Sequence, residues 1–243
     1  MIIQKEKEVT MIEEVKRRVY ELLDKDNSGH GNDHINRVLK MSLRFAEREN
    51  ANKDVTSLIA LLHDVDDYKL FGEEQANIQT NAKRIMQEAK VDKNLQKHVL
   101  QELSCIGYSR LLKGIRPQTI EGKIVSDADM CDTLGANGIL RVFTYSKKNG
   151  KEFFDKNIFP IEGMTADKYT RKCADTSVCH IFEKVLKLKK LMFTESGKEE
   201  ATYRQQITVD FLYHLFDEED AIEWKEYLDN FLKKEEEHVN DRI

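Results

Sequence analysis

Prolines and glycines are scarce: Pro117 and Pro160 are the only prolines in 243 residues, beside 11 glycines. So few helix breakers favour a mostly helical chain with few sharp turns. Long apolar runs are missing too. No window approaches the ~18 uninterrupted apolar residues of a membrane span, and the opening MIIQKEKEVT lacks the apolar core of a secretion signal. The cytoplasm is therefore the expected location. The four cysteines, Cys105, Cys131, Cys173 and Cys179, contain no CxxC pair, which excludes the zinc-knuckle and redox motifs and leaves reduced packing residues. Positive charge is not in excess either. A formal net charge of −5 argues against a protein that coats nucleic acid, because such proteins replace counterions with a cationic surface.

What is present suits a globular, all-α chain. Hydrophobic residues make up 40% and charged residues 34%, and no segment shows the period of a strand. Met11, Ile12, Val15, Val19, Leu22 and Leu23 form a 3.6-period stripe, so an amphipathic helix opens the chain. A polar break, DKDNSGHGND, ends it. Asn32 or Asp33 is a suitable cap for a second helix, in which His34, Val38, Met41 and Phe45 share one face. Asp54 is the expected cap of a third helix over 55–64, apolar all round and so central. Helices are then expected over 73–89 and 92–106, a basic loop over 107–117 and, with Pro117 in its first turn, a helix running to Gly135. The stretch 149–165 reads as irregular and as a candidate lid. Long helices over 166–194 and 198–216 follow, then a last one striped by Trp224, Tyr227, Leu228, Phe231 and Leu232. Residues 233–243 read as a frayed, charged tail. No internal repeat or low-complexity segment is present.

The third helix poses a chemical question. Its apolar run ends in LIALLHDVDDYK, with His63, Asp64, Asp66 and Asp67 directly behind core residues. A buried ionised carboxylate is costly unless it is paired or coordinated. A metal ion would resolve the cost, since imidazole nitrogen and carboxylate oxygen together suit divalent ions such as Zn, Mn or Fe. Adjacent residues on a helix point about 100° apart, so His63 and Asp64 share a metal only at a helix end. Further ligands must come from elsewhere.

The pattern H…HD…D, formed by His34 in DHINRV, His63 and Asp64 in ALLHDVDDYK and Asp129 in TIEGKIVSDADMCDTLGANGI, resembles that of the HD superfamily of metal-dependent phosphohydrolases. With HIFEKVLKLKKLMFTE, the likeness runs from about residue 11 to 216 and extends to a bacterial subgroup that includes nucleotide pyrophosphohydrolases. It implies an HD-type helical bundle in a single domain over 1–243, with its motif core at about 30–135 and helices of 166–232 packed on it. His34, His63, Asp64 and Asp129 would be the metal ligands, holding one divalent ion from among Mn, Mg, Co, Ni, Fe and Zn. Asp64 counts as catalytic as well as ligating. Asp67, one turn beyond it, would orient or deprotonate the attacking water, whereas Asp66 reads as surface charge. Arg37, Lys69, Lys123, His180 and Lys184 are the cationic candidates for the substrate's phosphates.

Relatives holding two metals use additional histidines between the HD pair and the last aspartate. His98 is the only one here, so one metal is expected and oxygenase chemistry is disfavoured. No GYP triplet follows the HD motif, which excludes the cyclic-di-GMP subgroup. YSRLLKG, at 108–114, departs from the small glycines that similar proteins carry there and leaves the substrate-side loop unassigned. The expected function is hydrolysis of a small phosphorylated compound, a nucleotide above all, by pyrophosphate release. The alternatives are a 5'-nucleotidase-type monophosphate phosphatase, an alarmone hydrolase and a non-catalytic ligand-binding HD module. No nucleic-acid polymer or membrane is expected as partner, and Trp224, Tyr227 and Phe231 suit either core packing or a homodimer contact.

Overall fold

In the computed structural model, residues 10–24, 31–161 and 176–240 are described, and among them there are helices and connections but no strand. The chain divides into two compact units. The first comprises Met1–Ile106 and Arg116–Val125, the second Gly107–Ile115 and Ser126–Ile243.

In the first unit, α1 (Met11–Leu23), α2 (Asn32–Arg48) and α7 (Lys93–Leu103) pack around α3 (Lys53–Leu62). Leu58, Ile59, Ala60, Leu61 and Leu62 are all buried, as expected of a helix apolar on every side. Removing each of the larger ones from water contributes about 1.5–3 kcal/mol. The hydroxyls of Thr56 and Ser57 donate back to the carbonyls of Asn52 and Lys53, which satisfies both groups within the helix. Thr10 opens α1 with a capping box closed by Glu13.

Several expected boundaries are corrected. Asn52, not Asp54, caps α3, its side chain accepting from the amides of Asp54 and Val55. Gly31 occupies the cap position of α2 without a side-chain bond, in place of Asn32 or Asp33. The helix expected over 73–89 is broken at Gln79, which adopts a left-handed conformation (φ 57°) and separates α5 (Glu73–Ile78) from α6 (Thr80–Glu88). A four-residue helix, α4 (Tyr68–Phe71), precedes them.

Asp66 is not surface charge: it accepts from the amides of Asn81 and Ala82 at 2.9 Å each. It thereby caps α6 from fifteen residues upstream, a partnership that no local pattern encodes. Asp92 caps α7 as expected. The basic loop contains α8 (Tyr108–Leu112). Pro117 lies ahead of α9 (Ile120–Asp132), and Thr119 receives the amide of Gly122 in its first turn. α9 is one continuous helix shared by the two units: Ile120–Val125 belong to the first and the rest to the second.

In the second unit, α10 (Gly135–Lys148), unforeseen in the sequence, packs on α12 (Glu195–Glu218). The long helix expected over 166–194 is, where described, a short α11 (Ser177–Glu183) followed by a 3-10 helix, Val185–Leu191; its beginning and Cys173 lie outside the described residues. α13 (Ile222–Asn240) runs on through most of the expected tail. Trp224 is buried in an aromatic cluster, stacked on Phe159 at 4.5 Å and edge-on to Phe154 at 5.2 Å. Its indole N–H donates to the carbonyl of Lys156. The described part of the candidate lid, 149–161, is therefore anchored by its own aromatics, and its remainder lies outside the described residues. Tyr213 donates to Asp229 across α12 and α13, and that hydrogen bond pushes the phenol up to about 12.

Buried Glu102 accepts from the amides of Gln118 and Thr119, immediately before α9. A Cβ on Gly122 would lie 2.0 Å from its Oε2. Gly122→Ala should therefore lower stability by about 1–3 kcal/mol, the usual range for overpacking, measured by urea unfolding. An unchanged midpoint would refute the tight packing of Gly122 against Glu102.

Candidate metal centre

The first unit gathers three of the expected ligands. His34 lies on the core face of α2, two residues past its first residue, and is 1% exposed. His63 is the C-cap residue of α3, and Asp64 follows in the turn that ends the helix. Leaving helical geometry at this point allows two neighbouring side chains to converge, as a helix interior would not. His34 Nε2 and His63 Nε2 are 3.1 Å apart, and Asp64 Oδ2 lies 3.3 Å from the first and 3.5 Å from the second. The rings meet edge to face, with centroids 5.1 Å apart.

Tautomer completes the set. His63 Nδ1 lies 2.8 Å from the carbonyl of Ala60, an acceptor only, so Nδ1 carries the proton and Nε2 keeps its lone pair. A histidine that ligates a metal is held the same way, its other nitrogen donating to a backbone carbonyl. Ligand atoms each about 2.0–2.2 Å from one ion sit roughly 3–3.5 Å from one another, which is the spacing of these three. Two imidazole nitrogens and a carboxylate oxygen, buried together, fit a divalent cation.

Asp67 is half-buried and closes the turn after Asp64, its amide donating to the Asp64 carbonyl at 3.1 Å; its own carbonyl accepts from Leu70 and Phe71 in α4. Arg37 on α2 and Lys123 on α9 are half-buried in the same unit. Lys69 lies in α4, its side chain outside those described.

The remaining expected residues belong to the second unit. Asp129 sits on α9, four residues past the last residue of the first unit. His180 and Lys184 stand one turn apart at the end of α11, the Lys184 amide donating to the His180 carbonyl at 3.0 Å. Lys184 Nζ lies 4.9 Å from the centre of the Tyr108 ring, a cation–π contact that ties it to α8. Among the buried carboxylates that sequence reasoning missed are Glu102 and Asp127, whose main-chain donors come from sixteen and sixty-six residues away. Their one signal was an acid on an otherwise apolar helix face.

Residues 32–134 match the HD domain family model. A structure from Lactobacillus plantarum is 31% identical with a TM-score of 0.74, covering 91% of this chain and 100% of its own. An HD-superfamily hydrolase from Bacillus thuringiensis is 34% identical with a TM-score of 0.67, covering 86% and 97%. The Bacillus subtilis protein YpgQ is 28% identical over 211 residues, 86% of this chain and 94% of its own; its crystal structure in complex with ADP superimposes with a TM-score of 0.64 at 23% identity, covering 85% of this chain and 97% of its own.

Among the described residues no helix is long and apolar enough to cross a membrane. Manganese at about 100 times its Kd should stabilise the chelator-treated protein by ~2.7 kcal/mol through binding to the folded state alone. His34→Gln should abolish most of that gain. Equal stabilisation of variant and wild type in a thermal melt would place the metal elsewhere.

Proposed function

We propose that this chain, which belongs to the HD superfamily of metal-dependent phosphohydrolases, is a nucleotide pyrophosphohydrolase working with one divalent ion held by His34, His63, Asp64 and Asp129. The observation that carries the reading is the convergence of the largely buried His34 Nε2, His63 Nε2 and Asp64 Oδ2 within 3.5 Å in the first unit, with His63 Nδ1 already engaged. Asp129 completes the H…HD…D pattern from the second unit. Support for a nucleotide comes from YpgQ, whose crystal structure is in complex with ADP. A single HD-type domain is part of the same proposal.

When bound, the ion lowers the pKa of a water and draws charge from a phosphoryl oxygen. His34 and His63 would hold the ion through ring nitrogens, and the Asp64 carboxylate would offset part of its charge. Asp67 receives or directs the proton of the attacking water. Arg37, Lys69, Lys123, His180 and Lys184 bind the phosphate oxygens, on which negative charge grows during in-line attack. Lys184 enters this role already oriented by the Tyr108 ring.

The test is release of phosphate and pyrophosphate from nucleoside mono-, di- and triphosphates with Mn, Mg, Co or Ni. Wild type should release pyrophosphate from a triphosphate, and Asp64→Ala should not. Asp67→Asn should lose roughly 10²–10⁴ in kcat, the size of a general-base contribution, with metal binding kept. Phosphate from monophosphates alone would assign a 5'-nucleotidase-type phosphatase instead, and metal binding without turnover would favour a non-catalytic HD module.

A further inference from the structure

We infer that Asp127 is a positioning residue that sets the rotation of α9 about its axis, and so the placement of the Asp129 carboxylate; the inference rests on Asp129 being a metal ligand, as proposed above. Asp127 is wholly buried. Its carboxylate accepts from the Phe193 amide at 2.9 and 3.1 Å, from the Thr194 amide at 2.8 Å and from the Thr194 hydroxyl at 2.7 Å. Thr194 is the N-cap of α12 and accepts from the Gly197 amide at 3.0 Å. One carboxylate thus accepts from the N-cap residue of a 24-residue helix and from the amide just before it, at an end where main-chain dipoles favour negative charge.

The fit leaves little room for movement. A Cβ on Gly197 would lie 2.2 Å from Asp127 Oδ2, so α9 and α12 approach through a glycine. Cys131, one turn along α9 on the same side, places its Sγ 3.7 Å from the Gly197 carbonyl. The end of α9 is held as well: Arg204 donates to the Cys131 carbonyl at 3.2 Å, and buried Asp132 pairs with Arg141 at 3.7 Å.

Two residues along a helix is about 200° of rotation, which puts Asp129 on the face opposite Asp127. A ligand side chain therefore projects from one side while the other side is bolted to a helix start. With a carboxylate about 5–6 Å off the helix axis, a rotation of about 10° moves it ~1 Å, several times the ~0.2 Å tolerance of a metal–ligand bond. Burial alone would leave that angle loosely set, because apolar contacts are not directional. The four hydrogen-bond contacts of Asp127 are directional.

The experiment titrates full-length, chelator-treated protein with Mn(II) and reads free Mn(II) by its electron paramagnetic resonance signal. Wild type should bind one ion. Asp127→Asn, nearly isosteric but neutral and half donor, should bind about 10- to 100-fold more weakly, the range for losing an outer partner of a metal ligand. Thr194→Val should weaken binding in the same direction and Thr194→Ser should restore it, so the inference remains testable if Asp127→Asn fails to fold. Leu212→Ala, a core truncation elsewhere on α12, should leave Mn(II) affinity within about twofold of wild type, separating positioning from mere stability. Wild-type affinity in Asp127→Asn or Thr194→Val, or a loss in Leu212→Ala as large as theirs, would overturn the role of Asp127. A wild type that binds no Mn(II) would overturn the metal reading itself, and this inference with it.

Discussion

A carboxylate taken out of water must be matched by positive charge or by donors aimed at it, and much of this structure follows from that constraint. Asp64 sits with two imidazole nitrogens 3.3 and 3.5 Å away, at the end of a helix buried on every side. His63 already donates its Nδ1 proton to the Ala60 carbonyl, so its Nε2 offers a lone pair. Two ring nitrogens and a carboxylate oxygen packed this closely make a ligand set for a divalent cation. The apolar run of α3 gives it rigidity. Ending the helix at His63 provides the change of direction by which adjacent residues face one point.

The same constraint is answered without a metal at Glu102 and Asp127, and half-buried Asp66 acts in the same way; they collect main-chain amides at the starts of α9, α12 and α6. Each satisfies donors that a helix start leaves unpaired, and each receives in return the field that makes a negative charge tolerable there. Asp132 is answered by Arg141. These acids thus fall into two kinds: those that face donors, and Asp64, which faces ring nitrogens. Position on an apolar face does not separate the kinds; the identity of the facing atoms does.

This explains what was legible in the sequence. Periodicity revealed α1, α2, α3 and α7 because their apolar faces meet a core and the signal is local. The H…HD…D residues were legible because their order and flanks match a family, and His34 could be placed on a core face by counting along α2. The break at Gln79 was not, because a left-handed residue between two helical patterns leaves the period almost intact. The cap of α6 was hidden for a different reason: Asp66 acts on amides fifteen residues away, and a string of acids after His63 looks alike whether it meets solvent, amides or a metal. α10 was missed because Leu140, Phe143 and Tyr145 are exposed while Gly138 and Ser146 are buried, an inversion of the usual face.

α9 brings these threads together. Its sequence, IEGKIVSDADMCD, has acids on several sides and little amphipathic contrast, so periodicity alone cannot say which acid does what. The structure separates them by partner: Asp127 to the start of α12, Asp132 to Arg141, Asp129 on the remaining side. Gly122 and Gly197 are both small for one reason, since each lies where a carboxylate, of Glu102 or of Asp127, has to approach the backbone. A helix held at both ends by buried acids tolerates few substitutions along its length. It is for that reason suited to the role proposed for Asp129, whose position a metal would require to be held to a fraction of an ångström.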